Sequence, residues 1–367
     1  MNMPLNKLRR AARVPAGLVL AAGMTAALTG AASPAARPGV SRPSAFSTGG
    51  SLSAVAATSA GNAWAVGGRA GKTLILHWNG TAWKIVASPT PAGGAMLTGV
   101  AAISAGDAWA VGYNPTVGSH ALILRWTGKV WRTSSTPAAE FLTSVTIASK
   151  TSVWVTGTTT HGKPLLLHWG GAMWRSVRVP TTADGDLWGV TALSATNVWA
   201  VGDTLGRPLI LHWTGTAWRT VRPPAGWSGY SGYWRSVAGA SARSVWAVTS
   251  SPCPSCSSTQ GGIYRWNGSA WKLAGRTGAP SSADAGGLTA VAASSSTSAW
   301  AVGLTTPGSA LIMHWNGTAW KIVKRLTGAS HDFLAGVAAL SAKNAWAVGT
   351  TGSGKTLILH WNGSTWR

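Results

Sequence analysis

The chain is poor in acid. Seven Asp and Glu stand against 30 Lys and Arg in 367 residues, a formal net charge of +23. Such a balance favours contact with polyanions, but no base-reading motif accompanies it, so nucleic acid is a poor specific partner. Cysteine is nearly absent: Cys253 and Cys256, in SSPCPSCSS, are the only two. A tetrahedral metal site would need a second ligand pair, and a redox CxxC would need a βαβ context. Neither is present, and the simplest reading is a local disulfide. No metal or other cofactor is expected. HExxH, P-loop and GxSxG elements are missing, which removes the zincin, phosphate-loop and α/β-hydrolase mechanisms. Apart from the leader, no apolar run is long enough to span a bilayer.

The leader is residues 1–32. Lys7, Arg9, Arg10 and Arg13 precede an apolar stretch from Val14 to Ala27, and Gly30, Ala31 and Ala32 offer a cleavage site. This is the pattern of a secretory signal peptide and implies an extracellular protein. Export by the general route is favoured, and Arg9-Arg10 also admits twin-arginine export. The Ala/Gly/Arg-rich leader resembles those of secreted bacterial, actinobacterial-type proteins. A linker follows over residues 33–49.

Tryptophan is what the chain has in abundance: 24 residues. Of these, 21 fall into seven triplets, beginning Trp64, Trp78, Trp83 and ending Trp346, Trp361, Trp366. The leading members are 45, 45, 45, 47, 54 and 46 residues apart. A fixed period of this length is the signature of a repeat architecture. The first copy reads as four short strands: LSAVAAT, AWAVG, TLILHW and TAWKIV. Asn79-Gly80 turns the third strand into the fourth, as a two-residue or a four-residue loop. Four strands per repeat with no helical periodicity predict an all-β, seven-bladed β-propeller of four-stranded antiparallel blades over residues 50–367. The blades are expected near 51–90, 96–137, 141–181, 187–224, 234–277, 288–327 and 333–367. The first strands are small (GVAAI, SVAGA, GVAAL) and suit the crowded axis, whereas the paired tryptophans suit the diverging rim.

A strand ending in glycine (WAVGG), then HW, then a tryptophan five residues on resembles the kelch repeat, the family of the galactose oxidase central domain. All seven copies carry the resemblance, although the fifth (AVTSS) lacks the glycine. The resemblance implies the fold. Galactose oxidase chemistry would need a copper site with a cysteine-crosslinked tyrosine. Both cysteines lie in CPSC and the tyrosines are Tyr113, Tyr230, Tyr233 and Tyr264, so that chemistry does not carry over.

The last copy stops at Arg367, and residues 38–44 (PGVSRPS) resemble the continuation it lacks. These residues are expected to complete the outer strand of the seventh blade and protect an edge. A cation follows the last tryptophan of every copy (Lys84, Arg132, Arg175, Arg219, Lys272, Lys321, Arg367), which reads first as edge protection. His77, His168, His212, His314 and His360 share one repeat position, with Arg125 and Arg265 in the other two copies. They point around the ring and read as packing residues. Asn79, Asn267, Asn316 and Asn362 match the N-glycosylation pattern, but each is a hairpin turn.

The turns on one face are monotonous. Those on the other, between the second and third strands and between blades, vary and hold Glu140, Asp184, Asp186, Asp203, Asp284 and Asp332. They also hold Trp188, Trp227 and Trp234. Function tends to sit on such loops. The expected binding residues are Trp188, Trp227, Tyr230, Tyr233, Asp184, Asp186 and Asp332, with Trp234 structural. Three functions compete: a non-catalytic binding propeller for an extracellular polysaccharide or cell-surface protein, a carbohydrate-active lyase or hydrolase, and an envelope scaffold. The second would draw on Glu140, Asp184, Asp186, Asp284 and Asp332, with two carboxyls about 5–10 Å apart.

Overall fold

An Asn-Gly turn sets the outer half of four of the seven blades. In a computed structural model of the chain, which describes residues 46–114, 120–224, 233–250, 262–277, 287–305, 308–326 and 331–367, the turn takes four residues. Asn79 Oδ1 accepts from the Thr81 and Ala82 amides and the Thr81 hydroxyl, and Gly80 sits at φ 98°. Trp78 therefore pairs with Trp83. Asn267, Asn316 and Asn362 build the same turn with the same acceptor atom.

Each repeat forms one antiparallel sheet in chain order. The first contains Ser51–Ser59, Asn62–Arg69, Lys72–Trp78 and Trp83–Ile85. Six sheets have four strands. In the seventh, Phe333–Ser341, Asn344–Thr350 and Thr356–Trp361 are joined by a minimal fourth strand. There Trp361 bridges Trp366, and His360 and Arg367 exchange backbone hydrogen bonds of 2.8 and 3.0 Å. The first strands neighbour one another in a closed circuit, the seventh lying against the first. The molecule is a seven-bladed β-propeller, and no helix among the described residues is long and apolar enough to cross a membrane.

The core lies between blades. Each of seven apolar clusters is shared by two neighbours; one joins Trp64, Val66 and Ile75 of the first blade to Leu97, Leu124 and Trp131 of the second. Trp64 meets Trp126 at 5.0 Å, tilted, and Trp131 at 5.2 Å, edge to face. Trp300 repeats this on Trp361 and Trp366. Such pairs contribute roughly 0.5–1.5 kcal/mol each beyond the area they bury. The third-strand indole also pins the turn before the second strand: Trp78 Nε1 donates to Ala60 O at 2.9 Å, and Trp126, Trp213, Trp315 and Trp361 do the same.

The five histidines are part of this packing. Each stacks 4.1 Å from the second-strand tryptophan of its own blade and bonds Asn or Ser through Nε2. Burial lowers all five pKa values. Arg125 and Arg265 take the same place, 4.9 Å over Trp109 and Trp246. Among the described residues no His, Cys, Asp or Glu group is arranged to hold a metal ion.

Ring closure uses residues just before the first blade. Gly49 bridges Lys355, the Gly50 amide donates to Gly354 O at 2.9 Å, and the Thr356 amide donates to Thr48 O at 2.8 Å. Phe46 packs on the cluster shared by the seventh and first blades. Residues 38–44, the expected closing strand, lie outside the described residues, as do the leader, Cys253 and Cys256.

Candidate functional site

One residue is inserted near the start of every first strand. In the first blade Leu52 faces Gly67 and Ala54 faces Val66, which leaves Ser53 unpaired. The same bulge frees Thr98, Thr143, Trp188, Arg235, Thr289 and Ala335. A bulge re-aims a side chain. It also explains the glycine that ends the second strand: a Cβ on Gly67 would lie 1.9 Å from Ser51 O, and one on Gly202 2.0 Å from Asp186 O.

In the second, third and sixth blades the re-aimed residue ties blades together. The Thr98 hydroxyl donates to Leu142 O at 2.7 Å, Thr143 to Leu187 O at 2.6 Å and Thr289 to Leu334 O at 2.8 Å. The fourth and fifth blades break this column with Trp188 and Arg235. Both belong to the varied face, because the first strands begin there.

A compact cluster results. Arg235 lies 4.5 Å over the Trp188 ring and 5.3 Å over that of Tyr233, and its Nε donates to Ser250 Oγ at 2.9 Å. Trp188 Nε1 donates to Asp203 Oδ1 at 3.0 Å. Asp186 and Asp203 face each other across two strands of the fourth blade and are 3% and 7% exposed. The Thr158 hydroxyl, from the third blade, donates to Asp186. Burial pulls the Arg235 guanidinium below its ordinary pKa, and Asp203, Tyr233 and Asp186 counter that pull. Phe141 lies 6.1 Å from Trp188 and 6.1 Å from Tyr113, so aromatic rings run in an arc from the second blade to the fifth. Trp188, Arg235 and Tyr233 are only partly buried.

A strained turn borders the cluster. Leu205-Gly206 joins Thr204 to Arg207 with φ of 50° and 79°, and Leu205 is 55% exposed. Left-handed backbone disfavours a leucine by roughly 1–2 kcal/mol. The Leu205 amide donates to Asp184 O at 3.1 Å.

The structure thus gathers Asp186, Trp188 and Tyr233, with Asp184 alongside. Asp184 pairs with Lys163 at 2.8 Å. Glu140 is half-buried next to Phe141, its amide bonded to Thr158 O. Asp332 stands apart at the entry to the seventh blade, where it accepts from the Gly352 amide at 3.0 Å. Trp234 is fully buried and stacks on Tyr264 at 5.0 Å. Trp227, Tyr230 and Asp284 lie outside the described residues. Sequence reasoning passed over Arg235 and gave Asp203 no role. The signal for Arg235 was present: aligned on the buried Leu of each first strand (Trp234 in the fifth blade), Trp188 and Arg235 interrupt a column of Ser, Thr and Ala.

In chemical terms, the two buried acids and Thr158 hold a guanidinium and an indole at the mouth of the ring. Both carboxylates are engaged by neighbours.

No family model matches the chain, and no curated protein matches it in sequence. Solved structures do match in shape. YCF48 from Cyanidioschyzon merolae is 15% identical at a TM-score of 0.57, over 87% of this chain and 97% of that one. The BP39L lectin from Burkholderia pseudomallei is 14% identical at 0.56, over 86% and 97%. The GH74 xyloglucanase from Xanthomonas campestris is 15% identical at 0.58, over 88% of this chain and 53% of that one. At such identities these likenesses show the propeller fold alone.

Proposed function

We propose that the protein is a secreted, non-catalytic binding propeller whose varied face recognises an extracellular glycan at the junction of the fourth and fifth blades. The observation that carries the reading is the replacement of a small bulge residue by Trp188 and Arg235 in two adjacent blades, next to partly exposed Tyr233 and exposed Leu205. A rigid ring that places an indole and a guanidinium at adjacent small-residue positions, and keeps a strained leucine beside them, has the marks of a recognition site rather than a packing solution. Flat rings suit the apolar faces of sugars, and a guanidinium suits their hydroxyls. Local charge favours a neutral ligand there, since Asp186 and Asp203 outnumber Arg235. Trp227 and Tyr230 belong to the proposal as candidates read from the sequence. Export through residues 1–32 and kelch-type ancestry belong to the proposal. The lectin of similar shape is consistent with it.

A carbohydrate-active enzyme is the second reading, favoured by the Asp186–Asp203 pair. Directly opposed strand residues place Cβ atoms about 4.5–5.5 Å apart. An array of neutral and acidic glycans tests the first reading, and release of reducing ends from the bound glycan tests the second. Binding that falls at least tenfold in Tyr233→Ala with Leu205→Asn, without turnover, supports recognition. No glycan retained on the array would sink both.

A further inference from the structure

The fourth strands form the outer wall of the ring, and cations are not spread evenly along it. Every blade has one exposed cation after its last tryptophan. The third to sixth blades add more a few residues on, at Arg178, Arg222, Arg276 and Arg325, all exposed. The first and second blades add none: WKIVASPTP and WRTSSTPAA hold one cation each. No acid lies on any fourth strand. The first two blades carry a single Lys or Arg on this edge, so edge protection does not by itself require a second cation in each of four consecutive blades.

We infer that the outer wall of the third to sixth blades is a docking strip for an acidic polysaccharide, distinct from the varied-face site. Arg175 and Arg178 are three residues apart, about 10 Å along an extended strand. That is beyond the screening length of roughly 8 Å at physiological salt, so each exposed cation offers a polyanion a separate local contact. The fourth to sixth blades present similar spacings in succession. A flexible chain with a charge on each sugar or every second one can follow them across blades. Single-stranded nucleic acid would want stacking platforms, and three of the four indoles of these strands are buried, Trp174 and Trp218 at 6% exposed and Trp271 at 3%, while Trp320 is partly buried. The wall offers charge with little aromatic face, which suits a carboxylated or sulfated glycan.

The test is salt elution of the full chain from immobilised heparin. The first variant replaces Arg178, Arg222, Arg276 and Arg325 with Ser. The second removes the same number of cations elsewhere, through Arg69→Ser, Lys72→Ser, Lys84→Ser and Arg132→Ser. Thermal melts confirm that both are folded, and a conservative third variant changes the four arginines of the first to Lys. The first variant is expected to elute at lower NaCl by on the order of 0.1 M or more, with the second and third near the unmodified protein. Equal shifts in the first two variants would show that net charge alone is responsible and overturn the strip. Tighter retention on duplex DNA than on heparin at equal salt would overturn the choice of ligand. The strip variant retains glycan-array binding if the varied-face site is separate, so failure of one proposal is distinguishable from failure of the other.

Discussion

The imidazole of His77 lies 4.1 Å from the indole of Trp64, and its Nε2 meets Asn62 Oδ1 at 2.7 Å. This stacked pair recurs in five blades, and the other two replace the imidazole with a guanidinium on the same ring. Where Arg125 stands, Asp107 takes the place of Asn62 and approaches it to 3.6 Å. The position wants a flat, hydrogen-bonding group; Asp107 meets the charge of Arg125, and Arg265 donates to Ser244 Oγ and Ser296 O.

Acid should weaken the ring. Burial lowers the pKa of His77, His168, His212, His314 and His360 in the folded chain from the ordinary 6.5. Below pH 6.5 the unfolded chain takes up protons that the folded chain does not, so stability rises with pH in that window. Both states are neutral at these sites above it. The melting temperature is expected to be flat from pH 7.5 to 8.5 and to fall between pH 6.5 and 5. A rise on acidification would contradict this account of the five sites.

Ring closure gives a second prediction. Phe46→Ala should destabilise by about 1–2 kcal/mol through lost apolar burial. Thr356→Val removes the acceptor of the Thr48 amide and should cost about 1 kcal/mol. Chemical denaturation reads both, and no loss in either variant would mean that residues 46–50 do not help close the ring.

The glycine ending the second strand is a third point. Gly112→Ala would set a Cβ 2.0 Å from Met96 O and should destabilise by roughly 1–3 kcal/mol or more. The fifth blade carries Thr249 there, opposite Trp234 where the other blades have leucine. Trp234→Leu with Thr249→Gly restores the pair of the other blades and should fold, which a cooperative melt would confirm.

Much of the ring was legible in the sequence because its period is written in tryptophans that must meet across every blade boundary. Gly67 was legible as a glycine, but the reason for it, the bulge opposite, depends on pairing between strands. The cluster was half legible. Asp186, Trp188 and Tyr233 stood out as departures on varied loops. Arg235 did not, because a lone arginine among 30 cations acquires meaning only when the fifth blade brings it over Trp188.

Leu205 separates stability from recognition. Leu205→Asn relieves the positive φ and should raise stability by about 0.5–1 kcal/mol. If Leu205 contacts ligand, the same variant binds more weakly. A stabilised variant with unchanged binding would move the site away from this turn.

The central claim is that recognition occupies the varied face at the fourth and fifth blades. Its most direct test is one glycan array probed with two variants of the full chain. Tyr233→Ala with Leu205→Asn alters the varied face, and Thr81→Ala with Thr318→Ala alters the hairpin turns of the opposite face. The account predicts at least tenfold weaker binding for the first and unchanged binding for the second. Unchanged binding for the first, or loss confined to the second, would contradict it.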